Sequence, residues 1–229
     1  MSLPLLIIIC AVLGYLIGTI STGYIVGKIY KLDIRDYGSG NAGTTNAFRV
    51  IGKKGGIITF IGDFLKSFIP LMVMKYWIFK DHPAMYLLLL VFGIACVLGH
   101  NYPVWLKFKG GKGIASTGGV FGAVDHWLFL PGALIFGGLI FITKYVSVGS
   151  LCVSLLFPIW IAITKTGDPY YIWLVILSCL FTVSAFFRHR ANIVRLLNGT
   201  ENKVGQHVAV CPPTAGDSDA DHKEQKLEE

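Results

Sequence analysis

LPLLIIICAVLGYLIGTISTGYIVGKIY, residues 3 to 30, carries no charge before Lys28. A helix crosses the hydrocarbon core of a bilayer with roughly 20 apolar residues, so this stretch can span one. Tyr170 to Phe187 has no charge at all and meets the same test. Across 229 residues, 54% are hydrophobic and 14% charged, and the mean hydropathy is +0.63, which fits poorly with a water-facing surface. The expected fold is all-α, a polytopic integral membrane protein. A cleavable signal is the other reading of the first run, but Met1 to Pro4 has no basic residue and the apolar stretch exceeds a signal's core.

Working outward, the first span is expected to end near Lys28. A second runs from about Gly55 to Phe79 and a third from about Ala84 to Leu98. The glycine-rich stretch Ile114 to Ile142, broken by Asp125-His126 and Pro131, suits two short helices or one re-entrant hairpin, and the pair is preferred. Two further spans cover about Tyr145 to Thr164 and Tyr170 to Phe187. Seven spans, or five with a re-entrant pair, place the N-terminus outside and the C-terminus in the cytoplasm. Fourteen of the 20 Lys and Arg then fall on the cytoplasmic side, as the positive-inside rule requires. A bacterial inner membrane is the expected location.

Residues 206–229 have no apolar run and contain six acidic residues; they are expected to form a disordered tail beside a membrane domain of residues 1–205. Without the tail the body carries +11, against +7 for the chain, and such an excess attracts anionic lipid headgroups and anionic substrates. Cys10, Cys96, Cys152, Cys179 and Cys211 show no CxxC spacing, and neither a disulfide framework nor a metal site is expected. No cofactor or nucleic-acid partner is expected either.

Three polar segments interrupt the spans on the basic side. The first, GSGNAGTTNAFR from Gly38 to Arg49, has a composition no core requires. Gly38, Gly40 and Gly43 let backbone N–H groups approach a ligand. Ser39, Thr44, Thr45, Asn41 and Asn46 offer donors, and Arg49 offers a fork that matches phosphate oxygens. The segment reads as an anion cradle. The second, FKGGKG from Phe108 to Gly113, fails as a P-loop because Leu106 stands where the first glycine belongs and Gly113 where a hydroxyl belongs. It reads as a glycine turn, Gly110, Gly111 and Gly113, presenting Lys112 to a phosphate, or as an interfacial loop with snorkelling lysines.

The third, FRHRANIVRLLNGTEN from Phe187 to Asn202, places His189 and Asn192 three apart on one helix face, with Arg188 and Arg195 on a neighbouring stripe. An ordinary basic anchor after a span explains the arginines but neither Asn192 nor Glu201. Within the second span Asp63 and Lys66 are expected to neutralise each other and to support the cradle.

GSGNAGTTNAFR, GHNYPVWLKFKGGKGIAST and HRANIVRLLNGTENK, in this order between membrane spans, closely resemble the three motifs of the bacterial acyl-phosphate:glycerol-3-phosphate acyltransferase family, known as PlsY. The resemblance covers residues 1 to about 205. It implies seven spans and transfer of a fatty acyl group from acyl phosphate to the first hydroxyl of glycerol 3-phosphate. The products are lysophosphatidic acid and inorganic phosphate, in the first step of phospholipid synthesis. It also implies functional roles for Ser39, Arg49, Lys112, His189 and Asn192, and a fold-supporting one for Glu201. Many members have proline where this chain has Ala42, which loosens the backbone without removing side-chain chemistry.

An acyl phosphate has a good leaving group, so positioning and charge stabilisation can supply the rate without a covalent intermediate. In this reading Arg49, Lys112 and Ser39 hold phosphate, and His189 and Asn192 orient the acceptor hydroxyl and the oxyanion. The sequence leaves two acceptors for the proton, His189 and a substrate phosphate oxygen. The acyl chain is expected in a groove beside the glycine-rich helices. The alternative is a transporter for a phosphorylated small anion, which needs a polar path that the spans, Asp63 and Lys66 apart, do not offer.

Overall fold

The computed structural model describes residues 1–205, so the expected acidic tail and Cys211 lie outside the described residues. Within them all regular structure is helical. Ten α-helices follow in order: α1 Leu3–Gly18, α2 Thr22–Ile29, α3 Thr44–Val50, α4 Lys53–Val73, α5 Met85–Asn101, α6 Ile114–Val124, α7 His126–Thr143, α8 Val146–Thr164, α9 Tyr171–Arg188 and α10 Arg190–Leu197. Six stretches are long and apolar enough to cross a membrane: α1 with α2, α4 with the π-turn after it, α5 with the turn that follows, and α7, α8 and α9. The predicted glycine-rich pair forms two helices, α6 and α7. With 11 residues α6 is about 16 Å long, short of a hydrocarbon core.

The bundle is built around α5, which is apolar on every side and, unlike the equally apolar α7, is buried along most of its length. α1 crosses it closely. A Cβ on Gly14 or Gly18 would collide with the Phe92 or Cys96 carbonyl, and one on Gly99 with the Tyr15 carbonyl. Small residues at such crossings let backbones approach where lipid supplies no hydrophobic drive. On another side Phe121 stacks on Phe157 at 4.0 Å, and Phe157 meets Phe181 edge-on at 5.2 Å, tying α6, α8 and α9 together.

The first span is not continuous as expected: it breaks between Gly18 and Thr22. Partners from elsewhere take up the freed backbone. Lys66 Nζ donates to the Ile20 carbonyl at 2.6 Å, and the Thr22 N–H donates to Asp63 Oδ1 at 3.4 Å. Thr19 Oγ1 donates to the Leu16 carbonyl and accepts from Trp105 Nε1 at 2.9 Å. Irregular backbone within apolar spans survives only when protein groups satisfy it. The pair expected at Asp63 and Lys66 forms at 2.9 Å, and His100 Nδ1 joins it, 2.8 Å from Lys66 Nζ. These buried charges therefore hold a helix break together as well as neutralising each other.

Two other polar residues within the spans are explained by helix ends. Lys75 Nζ donates to the Ala123 and Val124 carbonyls at the C-terminus of α6, at 2.9 Å each. Asp125 separates α6 from α7: its Oδ1 accepts the Trp127 N–H at 3.0 Å as an N-cap, and its Oδ2 accepts Trp160 Nε1 at 3.0 Å.

Candidate active site

The first polar segment folds back on itself and then enters α3. Gly38 and Gly40 have φ of +63° and +66°, backbone that a side chain would strain. Asn46, fully buried, closes the loop: its Oδ1 accepts from the Ser39 N–H at 2.9 Å and Ser39 Oγ at 3.2 Å, and its Nδ2 donates to the Ile34 and Tyr37 carbonyls. Its amide was expected to offer donors to an anion, and instead it shapes the loop that presents Ser39. Asn41 likewise turns the chain, accepting the Gly43 N–H at 3.1 Å. Ser39, Asn41, Gly43, Thr44, Thr45, Asn46 and Arg49 all line the cavity described below.

The second segment departs further from expectation. The Gly110 N–H donates to the Asn101 carbonyl at 3.3 Å and the Gly111 N–H to the His100 carbonyl at 3.0 Å, so neither amide is left for a phosphate. Both glycines exist for close packing. A Cβ on Gly110 would strike the His100 carbonyl, and one on Gly111 the His100 imidazole. The turn is a rigid shelf under Lys112, with no room for an anion nest at these two residues. Gly113, at φ +80°, then starts α6. Gly111→Ala is expected to lose about 1–3 kcal/mol through overpacking, read as a fall in thermal unfolding temperature in detergent; an unchanged midpoint would contradict this packing.

The third segment does bring its polar residues together. His189 sits at the junction of α9 and α10, with its Nδ1 2.8 Å from the Ala185 carbonyl. That contact assigns the proton to Nδ1 and leaves the Nε2 lone pair free to accept. Asn192 Oδ1 accepts from Lys112 Nζ at 2.5 Å while its Nδ2 donates to Glu201 Oε1 at 2.6 Å, which settles the amide orientation. Glu201 also accepts from Ser147 Oγ at 3.0 Å and Arg195 Nε at 2.8 Å. It anchors the segment after α10 and aims Asn192 at Lys112.

All three segments open on one cavity of about 640 Å³. Ser39, Arg49, Lys53, Lys112, His189, Asn192 and Glu201 contribute to its polar part, and Phe48, Ile57 and Phe60 from α3 and α4 with Phe136 and Ile140 from α7 supply an apolar wall. Lys53 and Ser147 were not singled out from the sequence: one reads as a loop charge, the other as a small residue in an apolar run. Asp63 and His100 border the same cavity, so the helix break and the site share a wall.

The electrostatics are lopsided. Among the described residues neither Arg49 nor Lys112 has a carboxylate within 4 Å. Burial, with Arg195, Arg49 and Arg188 nearby and Glu201 opposing, pushes the Lys112 ammonium down to about 8. Burial and the Lys112 charge push His189 down to about 4, so it is neutral near pH 7. Burial lowers Arg49 as well. Glu201 is held below the usual carboxylate range, because its bonds to Asn192, Arg195 and Ser147 outweigh burial. A site that gathers partly buried cations with no direct ion pair at Arg49 or Lys112 among the described residues, and with Glu201 offsetting them only in part, suits an anion.

Known proteins carry the same design. A family model described as glycerol-3-phosphate acyltransferase matches residues 8–199. A glycerol-3-phosphate acyltransferase of Thermoanaerobacter pseudethanolicus is 44% identical over 204 residues, 89% of this chain and 98% of the relative. One from Bacillus subtilis is 40% identical over 201 residues, 87% of this chain and 98% of the relative. The crystal structure of PlsY (YgiH), an integral membrane glycerol 3-phosphate acyltransferase, in its glycerol 3-phosphate form superposes with a TM-score of 0.77 at 35% identity, covering 87% of this chain and 96% of that one. Its lysophosphatidic acid form gives 0.75 at 34% identity. In sequence, helical membrane fold and family match alike, the chain belongs to the glycerol-3-phosphate acyltransferase family and is an integral membrane acyltransferase.

Proposed function

We propose that the protein transfers a fatty acyl group from an acyl phosphate to the 1-hydroxyl of glycerol 3-phosphate, releasing lysophosphatidic acid and inorganic phosphate. The observation that carries this reading is the cavity itself, with Arg49 and Lys112, neither in a direct ion pair among the described residues, at one part and an apolar wall at the other. Both substrates bring a phosphate, and one also brings a long chain. The apolar wall between α4 and α7 suits the chain, and its position supports the groove expected beside the glycine-rich helices. The basic residues crowd the end of the bundle that bears the site, which supports a bacterial inner-membrane protein with that end in the cytoplasm.

In the reaction the acceptor hydroxyl oxygen attacks the acyl carbonyl carbon, the bond from that carbon to the phosphate oxygen breaks, and phosphate leaves with the bonding pair. Arg49, Lys112 and Ser39 hold phosphate oxygens and offset charge that grows on the leaving group. Neutral His189, which lines the cavity, accepts the hydroxyl proton and, as a weak base, passes it on to the departing phosphate, and Asn192 fixes Lys112 in range. His189→Gln is expected to lower kcat by about 10²-fold, within the span of general-base contributions. Normal turnover in that variant would hand the proton to a substrate phosphate oxygen.

A pH profile tests the charge assignment. Lys112 is cationic below its pKa and neutral above it, so kcat/KM is expected to fall as pH rises through about 8. In Lys112→Arg the guanidinium keeps its charge, and that alkaline limb is expected to disappear at lower overall activity. A limb that persists unchanged belongs to another group.

The reaction is tested by phosphate release from palmitoyl phosphate, with and without glycerol 3-phosphate, beside a palmitoyl-CoA control. Release that requires the acceptor and is absent with the thioester is the expected outcome. Folded protein that releases no phosphate would remove acyl phosphate as donor, and uptake of labelled glycerol 3-phosphate into liposomes would favour transport.

A further inference from the structure

Arg188 stands outside the cavity, yet it joins two of the segments that build it. Its Nε donates to the Gly111 carbonyl at 3.0 Å, and its Nη2 donates to the Gly111 and Gly110 carbonyls at 2.7 and 3.2 Å. The guanidinium lies over the Tyr102 ring, 5.0 Å from its centre, and Tyr102 is fixed in turn by the bond from Tyr15 Oη to its carbonyl at 2.9 Å. Among the described residues no carboxylate lies within 4 Å of it. An arginine that merely anchored the end of α9 would turn to lipid headgroups or water; this one has its fork on two backbone carbonyls.

The opposite side of the same turn is held as tightly. The Gly110 and Gly111 N–H groups donate to the Asn101 and His100 carbonyls, so every main-chain polar group of the two glycines has a partner. The turn is clamped between the end of α5 and Arg188, and Lys112 is the next residue. Arg188 is also bonded directly to His189. One residue therefore ties the position of the Lys112 ammonium to that of the His189 imidazole.

We infer that Arg188 is a positioning residue for the acyl transfer: by gripping the Gly110 and Gly111 carbonyls it sets Lys112 against Asn192 and beside His189. The inference rests on the proposed transfer reaction for its kinetic consequence. Arginine suits this turn because its Nε and Nη2 together hold the Gly111 carbonyl while Nη2 also reaches Gly110, a fixed two-nitrogen grip; a lysine ammonium can bridge two carbonyls but fixes no such orientation. Displacement of a reacting group by about 1 Å costs roughly 10²-fold in rate.

The test uses the full-length protein in detergent or lipidic mesophase. Arg188→Lys, which keeps the charge, is expected to lose about 10²-fold in kcat/KM while its unfolding temperature stays within a few degrees. Arg188→Ala is expected to regain at least about tenfold of its activity with dilute guanidinium and none with methylammonium, as the loss of a forked donor requires. Lys112 placement is read without turnover, by the pH dependence of its acetylation by acetic anhydride: a midpoint near pH 8 in the parent protein and a displaced one in Arg188→Lys. Arg188→Lys with turnover within threefold of the parent, or with an unchanged acetylation midpoint, overturns the clamp. Loss of folded protein in both variants overturns it too, because Arg188 would then be holding the fold and not a register. A parent protein inactive on palmitoyl phosphate sinks the proposed reaction alone, and the acetylation measurement still decides the clamp.

Discussion

Lys112→Met is expected to abolish turnover, lowering kcat/KM by about 10³-fold, the upper range for removing one preorganised donor from developing negative charge. Its stability should hardly change. Methionine keeps the length and apolar stem of lysine, while the substitution removes a cation that burial disfavours and that Glu201 offsets only in part. Asn192 Oδ1 loses a donor, worth about 1 kcal/mol, and keeps its orientation through Glu201. Thermal unfolding beside steady-state phosphate release separates the two quantities. A collapse of activity with an unfolding temperature within a few degrees of the parent marks a residue kept for chemistry at a cost to the fold. A large parallel fall in unfolding temperature would make Lys112 a structural residue and remove it from the reaction.

The other large effect is structural. Asp63 faces Lys66 at 2.9 Å and His100 at 3.5 Å, and it accepts the first N–H of α2. Asp63→Ala leaves a buried ammonium with no carboxylate and is expected to cost about 3–5 kcal/mol, as broken buried pairs do. Lys66→Met added to it should recover at least about half of that loss, because the stranded charge goes with it. Recovery cannot be complete: the Ile20 carbonyl in the helix break still loses its donor. The readout is the thermal midpoint of the single and double variants, with activity measured after incubation at intermediate temperature. A double variant no better than Asp63→Ala would show that the bond to the break, and not charge pairing, is what matters at this place.

The membrane spans were legible because length and apolarity are properties of a segment by itself, and they placed α4, α5, α8 and α9 within a few residues. The break in the first span was not. Thr19, Ile20 and Ser21 look like any polar-tinged part of an apolar run, and the chain departs from the helix there because Lys66, 46 residues away from Ile20, is present to take the freed carbonyl. The short α6 was visible only as a glycine-rich stretch, since its end depends on Asp125 capping α7 and Lys75 reaching across from after α4.

At the site, residue types announced an anion: three glycine-punctuated, basic, amide-bearing segments on one side of a membrane protein have no use in an apolar core. The sequence alone thus determined the class of protein, the chemistry of its ligand and the residues to watch. Which of those residues keep an unpaired polar group at the cavity was decided by the tertiary structure. Asn46 and the Gly110 and Gly111 amides, expected in the cradle, are occupied by Ile34, Tyr37, Asn101 and His100. Lys53 and Ser147, unremarkable in the chain, lie at the cavity. The reason is general: a polar group's role depends on what remains unpaired after folding. That pairing is made by residues distant in sequence, as when Arg188 closes on a turn 77 residues before it.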